Sequence, residues 1–290
     1  MQQIFLGSSP KNDRFLTEAV NTFARVATRL ADAVLEQENW RWRAYEGVRM
    51  AFLQTYLELR ELATIIAMDR AQHGPALTTA QRILGQHHIA YQSLRGVLVG
   101  VNSAEADRSP AEGEWPLRRV LPHIMDTERG FAAVMHYALE RYRRGEPPAE
   151  MSDETAMNVY HLTDDDFYQA PYEQMLTLYE EMHNRVLAEL AGMPEDELSA
   201  PSLWWEEEEV TMRFRLHRFD AHLREHTIQV EKTLVGIGHP PSEIERQLRL
   251  IYEALGEAEG ALIGAWQSNS ERQRQLAETI TARAHELEVV

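Results

Sequence analysis

Apolar residues recur at spacings of three and four along almost the whole chain, and the long alternating β-branched runs that announce strands are missing. The pattern predicts an all-α protein. A first helix should start after Asn12-Asp13 and reach about Gln37, with Phe15, Ala19, Thr22, Phe23, Val26, Leu30 and Val34 on one stripe. A second spans 39–72, carries Val48, Phe52, Tyr56, Leu59, Ala63 and Ile66, and closes at the turn signal His73-Gly74-Pro75. Residues 1–77 thus read as an N-terminal helical hairpin.

A third helix should begin at Thr78 or Thr79 as N-cap and run to about Gly100. Polar residues 102–114 form a loop, and Trp115-Pro116 opens a fourth helix that ends near Arg144. Inside it Pro122 lacks the N–H that would bond to Arg118, which predicts a kink or a fresh start just before His123. An acidic connection follows over 146–170, long enough to gate a pocket, then a fifth helix over 171–191. An irregular stretch with Trp204, Trp205 and Glu206 to Glu209 leads into a sixth helix at 211–235. The four central helices, joined by two long connections, suit a four-helix bundle with crossovers. Two last helices, at 242–267 and 270–288, should pack on the hairpin or along the bundle, since an isolated hairpin cannot bury its apolar stripe.

Composition narrows the class. With 290 residues, 44% hydrophobic and 26% charged, the chain can bury a sizeable core and is not low-complexity. Its net charge of −17 repels phosphate backbones at long range, which argues against nucleic-acid binding. Without cysteine there is no disulfide, no thiolate nucleophile and no Cys-ligated zinc, so any metal must take His, Asp or Glu. Neither an export signal nor an apolar run of membrane-spanning length is visible, and the expected location is cytoplasmic.

Candidate chemistry centres on histidine. His222 and His226 form an H-x-x-x-H pair, about 400° apart around a helix and hence only about 40° from eclipsed, so both can reach one ion. Twelve histidines placed at random give roughly 0.5 such pairs, so two exposed polar residues on a helix surface is the competing reading. A third ligand must come from another element, and His123, beside the apolar stripe of Leu117, Val120, Leu121 and Ile124, is the candidate. Asp126, three residues after His123, reads as a carboxylate that accepts the ring N–H or itself approaches the ion, and Glu225, three after His222, as such an acceptor or as solvated charge. His87 and His88 point about 100° apart and cannot easily share an ion.

The segment SPAEGEWPLRRVLPHIMDTERGF resembles the loop and second helix of the DinB-like four-helix-bundle metalloproteins, and HLREHTIQVEKTLVGIG is similar to their fourth-helix pattern. The resemblance covers about 78–238. It implies a DinB-like bundle there, with His123, His222 and His226 as ligands of one divalent ion, zinc or nickel, and water on the free position. Similar proteins include thiol-dependent transferases and isomerases such as mycothiol-dependent maleylpyruvate isomerase, metal-dependent hydrolases, and the N-terminal domain of ergothioneine-synthesising sulfoxide synthases. The implied activity is a metal-dependent hydrolase or a thiol-dependent transferase or isomerase, with a low-molecular-weight thiol as the further cofactor. The alternative is a non-catalytic helical protein that binds a small ligand or a partner and in which any metal is structural. A small-molecule substrate is expected, with no nucleic acid and no membrane, and a homodimer is an open possibility.

Other features read as structure. Trp40-Arg41-Trp42-Arg43 suits helix packing with solvated arginines better than an aromatic and basic contact surface. Glu206 to Glu209 is a solvated run or shapes the charge at a pocket mouth, and Arg213, Arg215 and Arg218 are dispersed charge or an anion site.

Overall fold

The computed structural model describes residues 14–152, 155, 168–204 and 208–290. Most of the acidic connection over 146–170, and Trp205, Glu206 and Glu207, lie outside the described residues, and with them the suggested gate. The described chain is all-α, with nine helices: α1 (Phe15–Ala27), α2 (Val48–His73), α3 (Thr79–Val97), α4 (Ser103–Ala106), α5 (Leu117–Arg143), α6 (Tyr172–Leu190), α7 (Met212–Gly236), α8 (Glu243–Gly260) and α9 (Ser270–Leu287). Two hairpins of two-residue strands complete it: β1 (Arg41–Trp42) with β2 (Tyr45–Glu46), and β3 (Pro201–Ser202) with β4 (Val210–Thr211).

Differences from the pattern-based reading cluster where glycine and short turns override apolar spacing. The first helix stops at Ala27, and Leu30 and Val34 belong to a turn and a 3-10 segment, Asp32–Glu36, rather than to its last turns. The second begins at Val48, not near residue 39. Gly47, at φ 83°, precedes it in a conformation costly for other residues, and the β1–β2 hairpin lies upstream. Residues 261–267 are not helical, so α8 is shorter than expected. Pro122 sits within α5 without ending it, and Leu117–Arg143 is one continuous helix.

Two compact units divide the chain, and neither is contiguous in sequence. Among the described residues, one comprises those of 78–87 and 102–233, the other 14–77, 88–101 and 234–290. In the first, the N-terminal part of α3, then α5, α6 and most of α7 form the bundle, with Leu84, Leu121, Met125, Met175, Val186 and Leu216 among its buried core. Each fully buried aliphatic side chain of this kind contributes about 1.5–3 kcal/mol.

In the second unit α1 lies against α9 and α2 against α8, around Phe23, Phe52, Leu59, Leu248, Ile251 and Ile280. Arg283 is fully buried there, reaching Glu58 at 2.8 Å and the Thr55 hydroxyl at 2.6 Å, with its guanidinium 5.7 Å from the Trp42 ring centre. Trp42 is therefore a packing residue, and Trp40 Nε1 donates to the Glu286 carbonyl at 3.3 Å. Arg70, also buried, donates to the carbonyls of Ala261 and Ile263 just past α8. Among the described residues, no helix is long and apolar enough to cross a membrane.

Candidate metal centre

In the first unit, α5 presents His123 toward α7, and α7 presents His222 and His226 one turn apart on one face. The ring centres lie 5.3 Å (His123 to His222), 4.7 Å (His123 to His226) and 4.3 Å (His222 to His226) apart. One nitrogen from each ring falls within 4.8 Å of the others. All three residues are half-buried, so they are neither on the outer skin nor sealed in the core. Trp115 meets the His123 ring edge-on at 5.6 Å, and Phe131 meets His222 at 5.9 Å, giving the group two aromatic walls.

Local electrostatics favour free lone pairs. Burial, the neighbouring His226 and His123 and the cation of Arg218 push the His222 ring down to about 3, against a weaker opposite pull from Glu128. Burial and His226 lower His123 as well, with Asp126 opposing them. Both rings are therefore neutral at physiological pH, the state in which imidazole binds a cation. His226 Nδ1 lies 2.7 Å from Gln229 Oε1. An amide oxygen only accepts, so the ring proton sits on Nδ1 and the lone pair on Nε2. Three imidazoles with free lone pairs are a set that could hold a metal ion.

Neither carboxylate expected to support these rings hydrogen-bonds to one among the described residues. Asp126 pairs with Arg129 three residues on, because the i,i+3 guanidinium is a closer partner than the His123 ring. Glu225 points to solvent on the exposed face of α7 and makes no hydrogen bond among the described residues. The supporting contact to His226 comes from Gln229, which sequence reading passed over although it stands three residues after a candidate ligand. The three arginines at the start of α7 separate: Arg213 reaches Glu195, Arg215 is fully buried near Ser202 and the Trp204 ring, and Arg218 stands over Phe131.

A helical bundle in which histidines of two helices converge on one point defines a class of metal-binding bundle proteins. The chain belongs to the DinB superfamily, whose sequence pattern matches residues 86–230, half of its length. The match includes all three histidines. No curated protein and no solved structure matches the chain.

Proposed function

We propose that this protein is a metal-dependent enzyme acting on a small molecule, a hydrolase or a thiol-dependent transferase or isomerase, with one divalent ion held by His123, His222 and His226. The observation that carries the reading is the convergence of these rings, two of them held neutral, on one partly accessible point. Bound there, a zinc or nickel ion supplies a Lewis acid for a carbonyl, a water or a thiol. The remaining work falls to the chain. Gln229 fixes the tautomer of His226. Trp115 and Phe131 form apolar walls that limit water.

Two cations flank the walls. The Arg119 guanidinium is 4.2 Å from the Trp115 ring centre, and that of Arg218 is 5.8 Å from the Phe131 ring centre. Neither forms an ion pair among the described residues, which supports an anionic substrate such as a carboxylate or a thiol that reacts as its anion. Elemental analysis of untagged protein tests the metal. Loss of a stoichiometric ion in His222→Ala, together with turnover of a thiol–electrophile pair or an ester by the wild type, supports the proposal. Metal-free wild-type protein, or failure with every thiol and ester, leaves a non-catalytic binding role as the better account.

A further inference from the structure

Beneath the first group, the same unit contains a second convergence of ligand-type atoms that the proposed reaction does not use. His87 from α3, Glu128 from α5 and His183 from α6 each offer one ligand atom, and these atoms lie within 4.8 Å of one another. All three residues are buried, at 1%, 3% and 0% exposure. His183 Nδ1 is 2.8 Å from Glu128 Oε1, and the Tyr179 hydroxyl donates to Glu128 Oε2 at 3.0 Å. Burial alone would raise the Glu128 carboxyl, but the facing His87 and His183 hold it well below the ordinary carboxylate range, so it is an anion.

His87 is the anomaly. Its Nε2 pairs with Glu128 Oε1 at 3.0 Å but off the hydrogen-bond direction, and its buried Nδ1 has no hydrogen-bond partner among the described residues. A buried ring nitrogen left without a partner costs about 1–3 kcal/mol. A nitrogen and a carboxylate oxygen that approach closely without aiming at each other are arranged as two ligands of one ion, whose lone pairs converge on a point between them. The ring centres of His87 and His183, 4.7 Å apart, match the separations found within the first group.

We propose that His87, Glu128 and His183 form a second, buried site for a divalent transition-metal cation. Two imidazoles and a carboxylate are a set that zinc accepts, and the Tyr179 hydrogen bond fixes the carboxylate. With its ligands buried, the ion is taken up on folding or during opening of the bundle. The site stands independently of the proposed activity.

The test uses the full chain, stripped with a chelator, reloaded with zinc and desalted. Wild type should retain about two ions per chain, His226→Ala about one, Glu128→Gln about one and the double variant none. Titration with cobalt(II) should give two absorbing steps, the slower one absent in Glu128→Gln. One ion retained by Glu128→Gln but lost in His226→Ala would overturn the second site and keep the first. One ion lost in Glu128→Gln but retained by His226→Ala would support the second and sink the first. If Glu128→Gln fails to fold by circular dichroism, wild-type stoichiometry decides together with His87→Gln, whose folding is checked in the same way because His87 pairs with the buried Glu128. A wild type that saturates at one ion, with His87→Gln unchanged, refutes the proposal.

Discussion

The Nδ1 of His226 and the Oε1 of Gln229 are 2.7 Å apart on one turn of α7. This bond sets which nitrogen of a candidate ligand carries the proton, and its loss should be felt in affinity rather than in folding. Gln229→Leu should weaken metal binding by about 10–100-fold while the unfolding temperature of the metal-free protein moves by only about a degree or two. Competition against a chromogenic chelator reads the affinity. Unchanged affinity would mean that Gln229 orients nothing.

The site was partly legible from sequence because His222 and His226 are bound by helical spacing, and spacing is local. His123 could be named only as a candidate from its apolar stripe, since nothing in its own neighbourhood says which other helix it faces. Glu128 and His183 stayed hidden for the same reason. Glu128 and His183 meet across two helices separated by a long connection, and each alone reads as one polar residue in an amphipathic pattern. His87 and His88 diverge by helical spacing, but only the structure shows that they serve two different carboxylates, the buried Glu128 and the part-buried Glu259. The all-α class followed from apolar period, and most helix bounds from that period together with cap and turn residues. Residues 28–47 did not, because a glycine at positive φ and a two-residue hairpin leave no periodic trace.

Glu259 should make the second unit acid-sensitive. Burial pushes its carboxyl up, but the hydrogen bond and charge of His88 and the Thr17 hydroxyl outweigh it and hold the group below its ordinary value. A depressed folded-state pKa means that the unfolded chain binds more protons, so the stabilisation is complete above about pH 4.5 and is lost as pH falls through the folded value. Glu259→Gln should cost about 2–3 kcal/mol at pH 7. The gap between the urea midpoints of the two proteins should narrow below about pH 4.5. An equal gap at pH 3.5 would contradict this account.

Arg283 offers a harsher test of the same unit. Its guanidinium is fully buried among Thr55, Glu58 and the Trp42 ring, while the Glu58 side chain keeps 26% exposure. Lysine cannot make the fork to both partners, so Arg283→Lys should destabilise by about 2–4 kcal/mol, seen in chemical denaturation. Arg283→Met removes the buried charge altogether and leaves Glu58 to water, so it should cost less than the lysine variant. The reverse order would show that the ion pair, not the desolvation of a poorly matched cation, governs this site.

Gly96 and Gly256 mark where α3 and α8 come closest within the second unit. A Cβ at Gly96 would stand 2.7 Å from the Arg249 Cα, and one at Gly256 would stand 2.9 Å from the Ile89 Cα, both backbone atoms that cannot turn aside. Alanine at either position gains about 1 kcal/mol of helix propensity, as at any helical glycine. The clash must push two helices apart, and overpacking of this kind costs about 1–3 kcal/mol or more. The two effects have opposite signs, and the steric one should win: Gly96→Ala and Gly256→Ala should each lower the unfolding temperature. Gly192, whose added Cβ would meet nothing within 4 Å, is the control, since alanine there carries no steric cost. Stabilisation by Gly256→Ala would show that α3 and α8 do not meet at that distance in solution.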